Sequence, residues 1–332
     1  MPIPLDISTY NAGFPVFCIG ATHSKDVVIG GGGGPGSTGV SNRLVVLKLS
    51  IEERMLEKKT VLLLDSAEDA PTCLAISPKG DTVVCGINSS NEAIKAGKNE
   101  NFRVFDFAKS EISPGTTKVK TVASTDPNDY QVSVLDFPTL KPRFKPMKAP
   151  DEVFSIAFST DDKQVAVLLR RQLRILNAKD GTTLKTINPV VKPNNDAIEF
   201  RSCCYAKDRG APVLLTALNA SSQKHSYIVK WDIKSWEKLL QHKVASSPIT
   251  AFCVSRDGKL IAFATKSMNV VVCSTATLKT LIIAHNVHNF PITCITFDAE
   301  TKFVITGSAD ETCKLIRLPD RWPNIIDHCR YF

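Results

Sequence analysis

The sequence predicts an all-β protein, a seven-bladed β-propeller, on three observations. Four segments repeat one order of apolar strand, polar turn and apolar strand: residues 72–86, 153–169, 249–265 and 292–308. In each of them, β-branched and aromatic residues alternate up to a polar turn, which is typical of a hairpin. A third strand, and often a fourth, follows each hairpin, so a four-stranded unit recurs about every 40–50 residues. No helical period separates these units, which argues against alternating strands and helices.

One part of the chain departs from this period. The stretch from Thr72 to Asp151 is too long for one blade and too short for two regular ones. Residues 132–147 can supply two strands of a blade whose first hairpin is abbreviated, and we expect residues 110–128 to form a loop outside the sheets. The prediction is therefore seven blade positions with one incomplete blade, and six blades are the alternative. Residues 1–332 form a single domain in this interpretation.

The composition is that of a folded protein and argues against several functions. Hydrophobic residues make up 43% and charged residues 22% of the chain, so disorder throughout is excluded. The net charge is +8, but Lys and Arg are dispersed, and the densest cluster, at residues 141–149, contains prolines typical of a loop. Because 7% of residues are aromatic and no basic stripe accompanies them, we expect no nucleic acid partner. The sequence has no recognisable hydrolase motif.

The ten cysteines indicate a reducing compartment. Most lie within apolar runs, as Cys73, Cys253 and Cys294 do, where a reduced cysteine behaves as a small core residue. No Cys-x-x-Cys pair occurs, which argues against a zinc site, and this usage favours the cytosol or nucleus. The chain start lacks the basic and apolar stretches of a signal peptide, and no apolar run reaches the ~18 residues of a membrane span.

The last repeat carries the motif of a known family of propellers. His285 precedes this repeat, Ser308 ends its second strand and Asp310 lies in the next turn. These positions resemble the WD-repeat family, in which His, Ser and Asp form a hydrogen-bonded brace within the blade. Ile316 stands where the family has Trp, so we expect an incomplete brace here. The Trp-Asp dipeptide that begins at Trp231 in an earlier blade does match the family.

The most unusual segment is a glycine-rich loop at residues 30–42, predicted to protrude from the first blade between two strands. It contains five consecutive glycines, which are unfavourable to order because glycine loses much backbone freedom on folding. A phosphate-binding loop is one interpretation, but Ser37 stands where that motif needs Lys, and a strand follows instead of a helix. A flexible linker is the second. The third is an ordered loop whose carbonyls turn inward on a cation or whose backbone presses against a partner.

The segments around this loop resemble a family of exchange factors. The resemblance rests on residues 10–15 (Tyr-Asn-Ala-Gly-Phe-Pro) and, after a strand, on the glycine loop and the start of the next strand at residues 31–44. Both are similar to the endoplasmic-reticulum exchange factors that activate the Sar-type small GTPase of the COPII coat, the prolactin regulatory element-binding protein family. The resemblance extends over the whole propeller. It implies a seven-bladed cytosolic propeller whose loop binds potassium through main-chain oxygens and inserts against the GTPase.

The resemblance also implies roles for individual residues of the loop. Asn42 would act in exchange, as the polar side chain presented to the GTPase, and Pro35 and Ser41 would join it in contacting this partner. The potassium ion would be held by the main chain of nine residues: Gly31, Gly32, Gly33, Gly34, Gly36, Ser37, Thr38, Gly39 and Val40.

The implied function is guanine nucleotide exchange: release of GDP from a Sar-type small GTPase at the endoplasmic reticulum, which starts assembly of the COPII vesicle coat without covalent chemistry. The alternative is a non-catalytic WD-repeat scaffold, which explains the blades equally well but leaves the glycine loop unexplained. The family has one membrane anchor after its propeller, and the sequence shows none before Phe332. We therefore expect this chain itself to be soluble, at the cytosolic face of the membrane, and truncated before the anchor. The sequence does not indicate an oligomeric state.

Overall fold

A computed structural model of the chain describes residues 5–36, 38–119, 130–189, 197–320 and 322. Within these ranges the regular structure is almost entirely antiparallel strand, arranged as six four-stranded sheets and two two-stranded sheets. In five of the four-stranded sheets, four consecutive strands pair in the order in which they occur in the chain. Each of these sheets is a blade of a propeller. The structure therefore confirms the predicted fold class.

The strands of the six complete blades are as follows. Blade 1 contains β2 (Val16–Ala21), β3 (Asp26–Gly31), β4 (Arg43–Ser50) and β5 (Met55–Leu63), and blade 2 contains β6 (Cys73–Ile76), β7 (Thr82–Gly86), β8 (Phe102–Ala108) and β9 (Glu111–Val119). Blade 4 contains β14 (Val153–Phe158), β15 (Gln164–Leu169), β16 (Gln172–Asn177) and β17 (Thr183–Ile187), and blade 5 contains β18 (Ile198–Asp208), β19 (Ala211–Ala220), β20 (Ser226–Asp232) and β21 (Lys238–Ala245). Blade 6 contains β22 (Ile249–Val254), β23 (Leu260–Thr265), β24 (Val270–Ser274) and β25 (Thr280–Ala284), and blade 7 contains β26 (Ile292–Phe297), β27 (Phe303–Ser308), β28 (Thr312–Arg317) and β1 (Ile7–Asn11).

Blade 7 joins the two ends of the chain. Its first three strands come from the C-terminal part, and its fourth strand is β1, which pairs antiparallel with β28 from Ile7↔Ile316 to Asn11↔Thr312. The first strand of blade 7 in turn contacts the first strand of blade 1. The ring is therefore fastened by strand pairing within one blade, which is how propellers protect their edge strands.

Apolar clusters between neighbouring blades hold the ring together. The middle strands β3, β23 and β27 are buried along their whole length, because their β-branched and small residues pack on both faces. Five clusters each combine side chains of two adjacent blades. In the cluster between blades 7 and 1, for example, Phe303 and Ile305 pack with Phe14, Ile29 and Val45. Burial of these faces is the dominant stabilising contribution.

The third blade position holds one interrupted hairpin. Its strands are β10 (Gln131–Val132), β11 (Leu135–Asp136), β12 (Lys141–Pro142) and β13 (Met147–Lys148). β11 pairs with β12 inside the pair formed by β10 and β13, and Val132 and Val134 pack against Val165 and Val167 of blade 4. The prediction of one incomplete blade supplied by residues 132–147 is thus confirmed.

Two other expectations for this region need correction. The predicted loop at residues 110–128 begins instead with β9, which pairs with β8 from Ala108↔Glu111 onward; residues 120–129 lie outside the described residues. The connection between β7 and β8 contains a short helix, α1 (Asn91–Lys95), that the strand pattern did not predict. Ser90 caps this helix, its side chain accepting a hydrogen bond from the Ala93 N–H.

The brace of blade 7 is built on His288 rather than on His285. His288 Nδ1 lies 2.9 Å from Asp310 Oδ2, and its Nε2 lies 2.8 Å from Thr306 Oγ1. His285 is exposed, whereas His288 is buried. The predicted Ser308 does bond to the brace, since its hydroxyl accepts from the Asp310 N–H at 3.1 Å and donates to the main-chain oxygen of Pro291 at 3.0 Å. The His-Asp brace itself is therefore present, three residues later than predicted.

We predict that His288 makes the stability of the propeller sensitive to acid. Burial lowers the pKa of His288 below its ordinary value, although the nearby Asp310 opposes that shift. In the unfolded chain His288 binds a proton near pH 6.5, whereas in the folded chain it binds one only at lower pH. The protein therefore loses stability as the pH falls below about 6.5. His288→Gln should unfold about 1–3 kcal/mol more easily at pH 7.5, because Asp310 loses a buried partner. Urea denaturation gives the free energy of unfolding at pH 7.5 and at pH 5.5. This free energy should fall less between the two pH values in the variant than in the parent, and an equal fall in both proteins would refute the role of His288.

Candidate functional site

The glycine loop connects the two middle strands of blade 1. Gly30 and Gly31 are the last residues of β3, so the loop itself comprises residues 32–42 rather than 30–42. Its two ends are buried at Gly32 and Asn42, and its middle reaches the surface. Ser37 lies outside the described residues. The exposed residues are Pro35, Gly36, Thr38, Gly39 and Ser41.

Main-chain hydrogen bonds fasten both ends of the loop. The Gly32 N–H donates to Pro15 O at 3.1 Å, and the Leu64 N–H donates to Asn42 O at 2.9 Å. Pro15 belongs to the segment that leads into β2, and Leu64 belongs to the segment that follows β5. The loop therefore stands between the connections that join blade 1 to its two neighbours.

Close backbone packing explains why the start of the loop is glycine. A Cβ atom on Gly31 would lie 1.9 Å from Pro15 O, and a Cβ atom on Gly33 would lie 1.9 Å from Thr38 Oγ1 and 2.9 Å from Val40 O. The loop also folds back on itself, since the Gly33 N–H donates to Val40 O at 3.2 Å. The base of the loop is thus ordered and compact, which the flexible-linker interpretation does not explain.

At the tip the glycines serve backbone conformation instead of packing. Gly39 has a φ of +76° and no atom within 4 Å of where its Cβ would be. This left-handed conformation costs other L-residues about 1–2 kcal/mol, with Asn tolerating it best. The loop therefore contains two kinds of glycine, with different tolerance of substitution.

The side chain of Asn42 organises the loop from inside. Only 1% of this residue is exposed. Its Oδ1 accepts a hydrogen bond from the Gly34 N–H at 2.9 Å, and its Nδ2 donates to the main-chain oxygens of Glu68 at 2.8 Å and Asp65 at 3.3 Å. The amide therefore ties the loop to the segment that leads from blade 1 to blade 2. The Asn42 side chain thus faces inward in this structure, and its contact with a partner stays a prediction.

The exposed end of the loop is supported by the residue that follows it. Arg43 Nε donates to Ser41 O at 3.1 Å, and its guanidinium lies 5.1 Å from the centroid of the Phe14 ring. The cation–π contact and the hydrogen bond fix the orientation of Ser41, just before the chain enters β4. Pro35 and Ser41, both predicted to contact the partner, are exposed as that role requires.

The main-chain carbonyl oxygens of the loop are the type of ligand that a large monovalent cation binds. None of the hydrogen bonds seen in the described residues ends on the carbonyl oxygen of Gly32, Gly33, Gly34, Gly36 or Gly39. Main-chain carbonyls can replace the hydration shell of potassium, as they do in potassium-selective filters. The described part of the chain holds no group of three or more His, Cys, Asp or Glu side chains that could bind a metal ion. Among the described residues, the loop carbonyls are thus the donors to consider.

Buried cysteines offer no nucleophile at this site. Burial raises the pKa of Cys294 to about 12 and that of Cys204 to about 11, and it raises the pKa of Cys18, next to the loop, well above its ordinary value. A thiol becomes reactive when its pKa is lowered, so these groups remain protonated core side chains. Cys18 packs against Gly30, where a Cβ atom would lie 2.8 Å from its sulfur. These thiols are structural, as the sequence predicted.

Three residues of the site were missed at the level of sequence. Glu68 and Asp65 contribute main-chain oxygens, which no side-chain pattern can reveal. Pro15 lies within residues 10–15, the segment that carried the family resemblance, and that resemblance is the signal by which it could have been found. Its carbonyl packs against Gly31 and bonds Gly32.

We predict that Gly31 and Gly39 differ in their tolerance of a side chain. Gly31→Ala should destabilise the protein by roughly 1–3 kcal/mol, because its Cβ overlaps a main-chain oxygen that cannot move alone. Gly39→Asn should leave stability unchanged, because Asn adopts the left-handed conformation and the space is open. Thermal unfolding of both variants beside the parent is the measurement. Equal melting temperatures for Gly31→Ala and the parent would contradict the packing described here.

Comparisons with known proteins agree with this fold, and the matches to curated relatives cover most of the chain. Residues 277–317 match the WD domain, G-beta repeat, a range that covers the first three strands of blade 7. The chain is 24% identical to "Guanine nucleotide-exchange factor SEC12" of Candida glabrata over 93% of its length, and 21% identical to "SEC12-like protein 2" of Arabidopsis thaliana over 86%. These matches span 72% and 74% of those relatives. A "Putative guanine nucleotide-exchange factor SED4" of Candida glabrata is 25% identical over 94% of the chain, which spans 32% of that protein.

A solved structure supports the architecture alone. A chain from "Crystal Structure of Mitotic Checkpoint Complex" superposes with a TM-score of 0.68 over 94% of both chains, at 12% sequence identity. Among the described residues, no helix is long and apolar enough to cross a membrane. The curated relatives match over 86–94% of the chain, well beyond the single repeat at residues 277–317. The chain is therefore similar over most of its length to proteins named SEC12, SEC12-like and SED4, and it contains a WD repeat.

Proposed function

We propose that this chain is a guanine nucleotide-exchange factor that releases GDP from a small GTPase of the Sar type. The observation that carries the proposal is similarity to proteins named as guanine nucleotide-exchange factors over more than nine-tenths of the chain. The ordered glycine loop adds a structural reason, since a scaffold built from blades alone has no need of it. The Sar-type partner, the COPII coat and the endoplasmic reticulum rest on the family resemblance of residues 10–15 and 31–44.

Exchange needs differential binding and no covalent step. A protein that binds the nucleotide-free GTPase more tightly than the GDP-bound form must, by linkage, weaken GDP binding by the same factor. Neither a nucleophile nor a general base is required for this.

The loop divides the work between its tip and its base. Pro35, Thr38 and Ser41 are exposed and can contact the partner, whereas Asn42 is buried and holds the loop in shape. A partner that binds a pre-ordered loop avoids the entropy of ordering it on association. Asn42 thus acts in exchange at least by positioning the tip of the loop.

Potassium belongs to the proposal as a support of the tip. The main-chain oxygens of the loop would hold it, from Gly31 through Gly34 and from Gly36 through Val40. A bound cation would give partners to the carbonyl oxygens of Gly32, Gly33, Gly34, Gly36 and Gly39, on which no described hydrogen bond ends. It would stabilise the loop and take no part in nucleotide chemistry.

The site of action follows from the partner. A Sar-type GTPase works at the cytosolic face of the endoplasmic reticulum, and the net charge of +8 favours approach to an acidic protein face or an anionic membrane surface.

We predict that the Asn42 side chain is needed for exchange. The parent protein should accelerate release of fluorescent GDP from a purified Sar-type GTPase. Asn42→Ala should release GDP roughly tenfold or more slowly than the parent, because a displaced loop no longer binds the nucleotide-free GTPase in the right geometry. Replacement of potassium by sodium should slow the parent and have little further effect on the variant.

The matched control is Asn219→Ala in blade 5. Asn219 also ties two blades together through its amide, accepting from the Ile249 N–H at 2.8 Å and donating to Ile249 O at 3.0 Å, but it lies far along the chain from the loop. Exchange should be unchanged in this variant. If the parent does not accelerate GDP release in potassium or in sodium, the exchange activity is refuted. The alternative function, a non-catalytic WD-repeat scaffold, is then favoured. Equal loss in Asn42→Ala and Asn219→Ala would refute the role of the loop.

A further inference from the structure

An ion pair between buried Arg103 and partly buried Glu68 is connected to the glycine loop through Asn42. Arg103, at the start of β8 in blade 2, donates from Nη2 to Glu68 Oε1 at 2.5 Å. The two side chains are 7% and 18% exposed. Glu68 is the residue whose main-chain oxygen accepts the hydrogen bond from Asn42 Nδ2. Its carboxylate and its carbonyl thus face two different parts of the protein, the loop of blade 1 and the first residues of β8.

The same arginine also holds the long connection of blade 2. Its Nε donates to Glu100 O at 2.6 Å, and its Nη2 lies 3.3 Å from Ser89 Oγ. The Ser89 hydroxyl in turn accepts from the Glu100 N–H at 3.0 Å. Residues 87–101, which include α1, are therefore closed at their base around one guanidinium. Helix α1 is the exposed part of this connection, at Asn91 and Glu92.

A second set of hydrogen bonds joins the two connections. The Asp69 N–H donates to Asn88 O at 3.0 Å, and Asn88 Nδ2 donates to Asp69 Oδ2 at 2.8 Å. The glycine loop and residues 87–101 occupy equivalent places, between the second and third strands of neighbouring blades. Polar contacts run without a break from the Gly34 N–H through Asn42, Glu68 and Arg103 to Ser89.

Such a pair is costly to bury, and in some proteins it fixes one arrangement of the chain. Removal of one partner from a buried pair leaves an unpaired charge, which is strongly destabilising, whereas well-packed apolar residues often serve stability as well. Arg103 uses the fixed fork of the guanidinium to reach Glu68, Glu100 and Ser89 at once, which the single ammonium of lysine cannot reproduce. Arg103 and Glu68 thus connect the glycine loop to residues 87–101.

We infer that Arg103 is a positioning residue for nucleotide exchange: it joins residues 87–101 to the glycine loop through Glu68, so that the two loops act as one partner-binding unit. The inference rests on the proposed function for its kinetic part. Its structural part, the coupling of Arg103 to the Gly34 N–H, is measurable without a GTPase.

The first experiment follows the amide hydrogen exchange of Gly34 in the parent, Arg103→Gln, Arg103→Lys and Ser89→Ala. Arg103→Gln should raise the exchange rate of this amide by roughly three- to thirtyfold, the range expected when a coupled network is cut. Arg103→Lys keeps the charge and should fall between this variant and the parent. Ser89→Ala alters no charge and should loosen residues 87–101 more than Gly34.

The second experiment measures GDP release from the Sar-type GTPase as a function of exchange-factor concentration. The kcat/KM of Arg103→Gln should fall by a factor similar to that of the amide protection, with partial recovery in Arg103→Lys. In the double variant with Asn42→Ala, Arg103→Gln should add little, because the connection is already cut. Independent, multiplicative losses would overturn the inference.

The matched control is the ion pair of Lys230 and Asp208 in blade 5. Its Nζ–Oδ2 distance is 2.6 Å and its side chains are 7% and 17% exposed, so it resembles the pair of Arg103 and Glu68 in burial. Lys230 Nζ also binds the main-chain oxygens of Thr275 and Ala276 in the next blade. Lys230→Gln should lower the melting temperature without changing Gly34 protection or exchange.

The outcomes separate the inference from the proposed function. If the parent does not release GDP, the proposed exchange activity fails, and the Gly34 amide still decides whether Arg103 controls the loop. If the parent is active and Arg103→Gln matches Lys230→Gln in both readouts, Arg103 is structural and the inference fails. Loss of Gly34 protection and of kcat/KM in the Arg103 variants, with both intact in Lys230→Gln, supports it.

Discussion

The arrangement of the whole candidate site depends on one buried amide. Asn42 stands at the junction of loop and strand, where its Oδ1 accepts from the Gly34 N–H and its Nδ2 donates to the carbonyls of Glu68 and Asp65. A buried polar side chain without these partners would cost the full desolvation penalty of the group. Because every polar atom of the amide is paired, Asn42 can be buried, and the loop is ordered as a consequence.

A loop this rich in glycine needs such a fixed point. Ordering the backbone of one residue costs about 1–2 kcal/mol in conformational entropy, and glycine is at the upper end. The base of the loop offsets this cost through the hydrogen bonds of Gly32 and Gly33 and through close packing at Gly31. Among the described residues the tip makes fewer such contacts than the base, so a cation or a partner could stabilise it further. A fastened base and an exposed tip suit a loop that recognises another protein.

Much of the fold could be predicted because a propeller repeats its information. Each hairpin is recognisable from its alternation of apolar and polar residues. The segments at 72–86, 153–169, 249–265 and 292–308, predicted in this way, all form the first two strands of a blade. The incomplete blade at residues 132–147 was also predictable, because the period failed there. The brace was assigned to His285 and belongs to His288, because which histidine reaches Asp310 depends on how the connection between β25 and β26 turns. The one-turn helix α1 gave no periodic signal.

The interior of the site could not be predicted from residue types. Asparagine in an exposed loop and asparagine in a buried network look the same in a sequence, and its role was decided by main-chain oxygens of Glu68 and Asp65. The pair of Arg103 and Glu68 joins residues 35 apart in the chain, which no local pattern links. What the sequence did indicate was the place, since five consecutive glycines between two strands require an explanation beyond a hairpin turn.

The central claim is that Asn42 orders the glycine loop from within, and backbone amide exchange of Asn42→Ala tests it most directly. The account predicts that the Gly34 amide is protected in the parent and loses that protection in the variant, while the amides within β3 and β4 keep theirs. Equal protection of Gly34 in both proteins would contradict it, and would mean that the loop is ordered by its own turns without the buried amide.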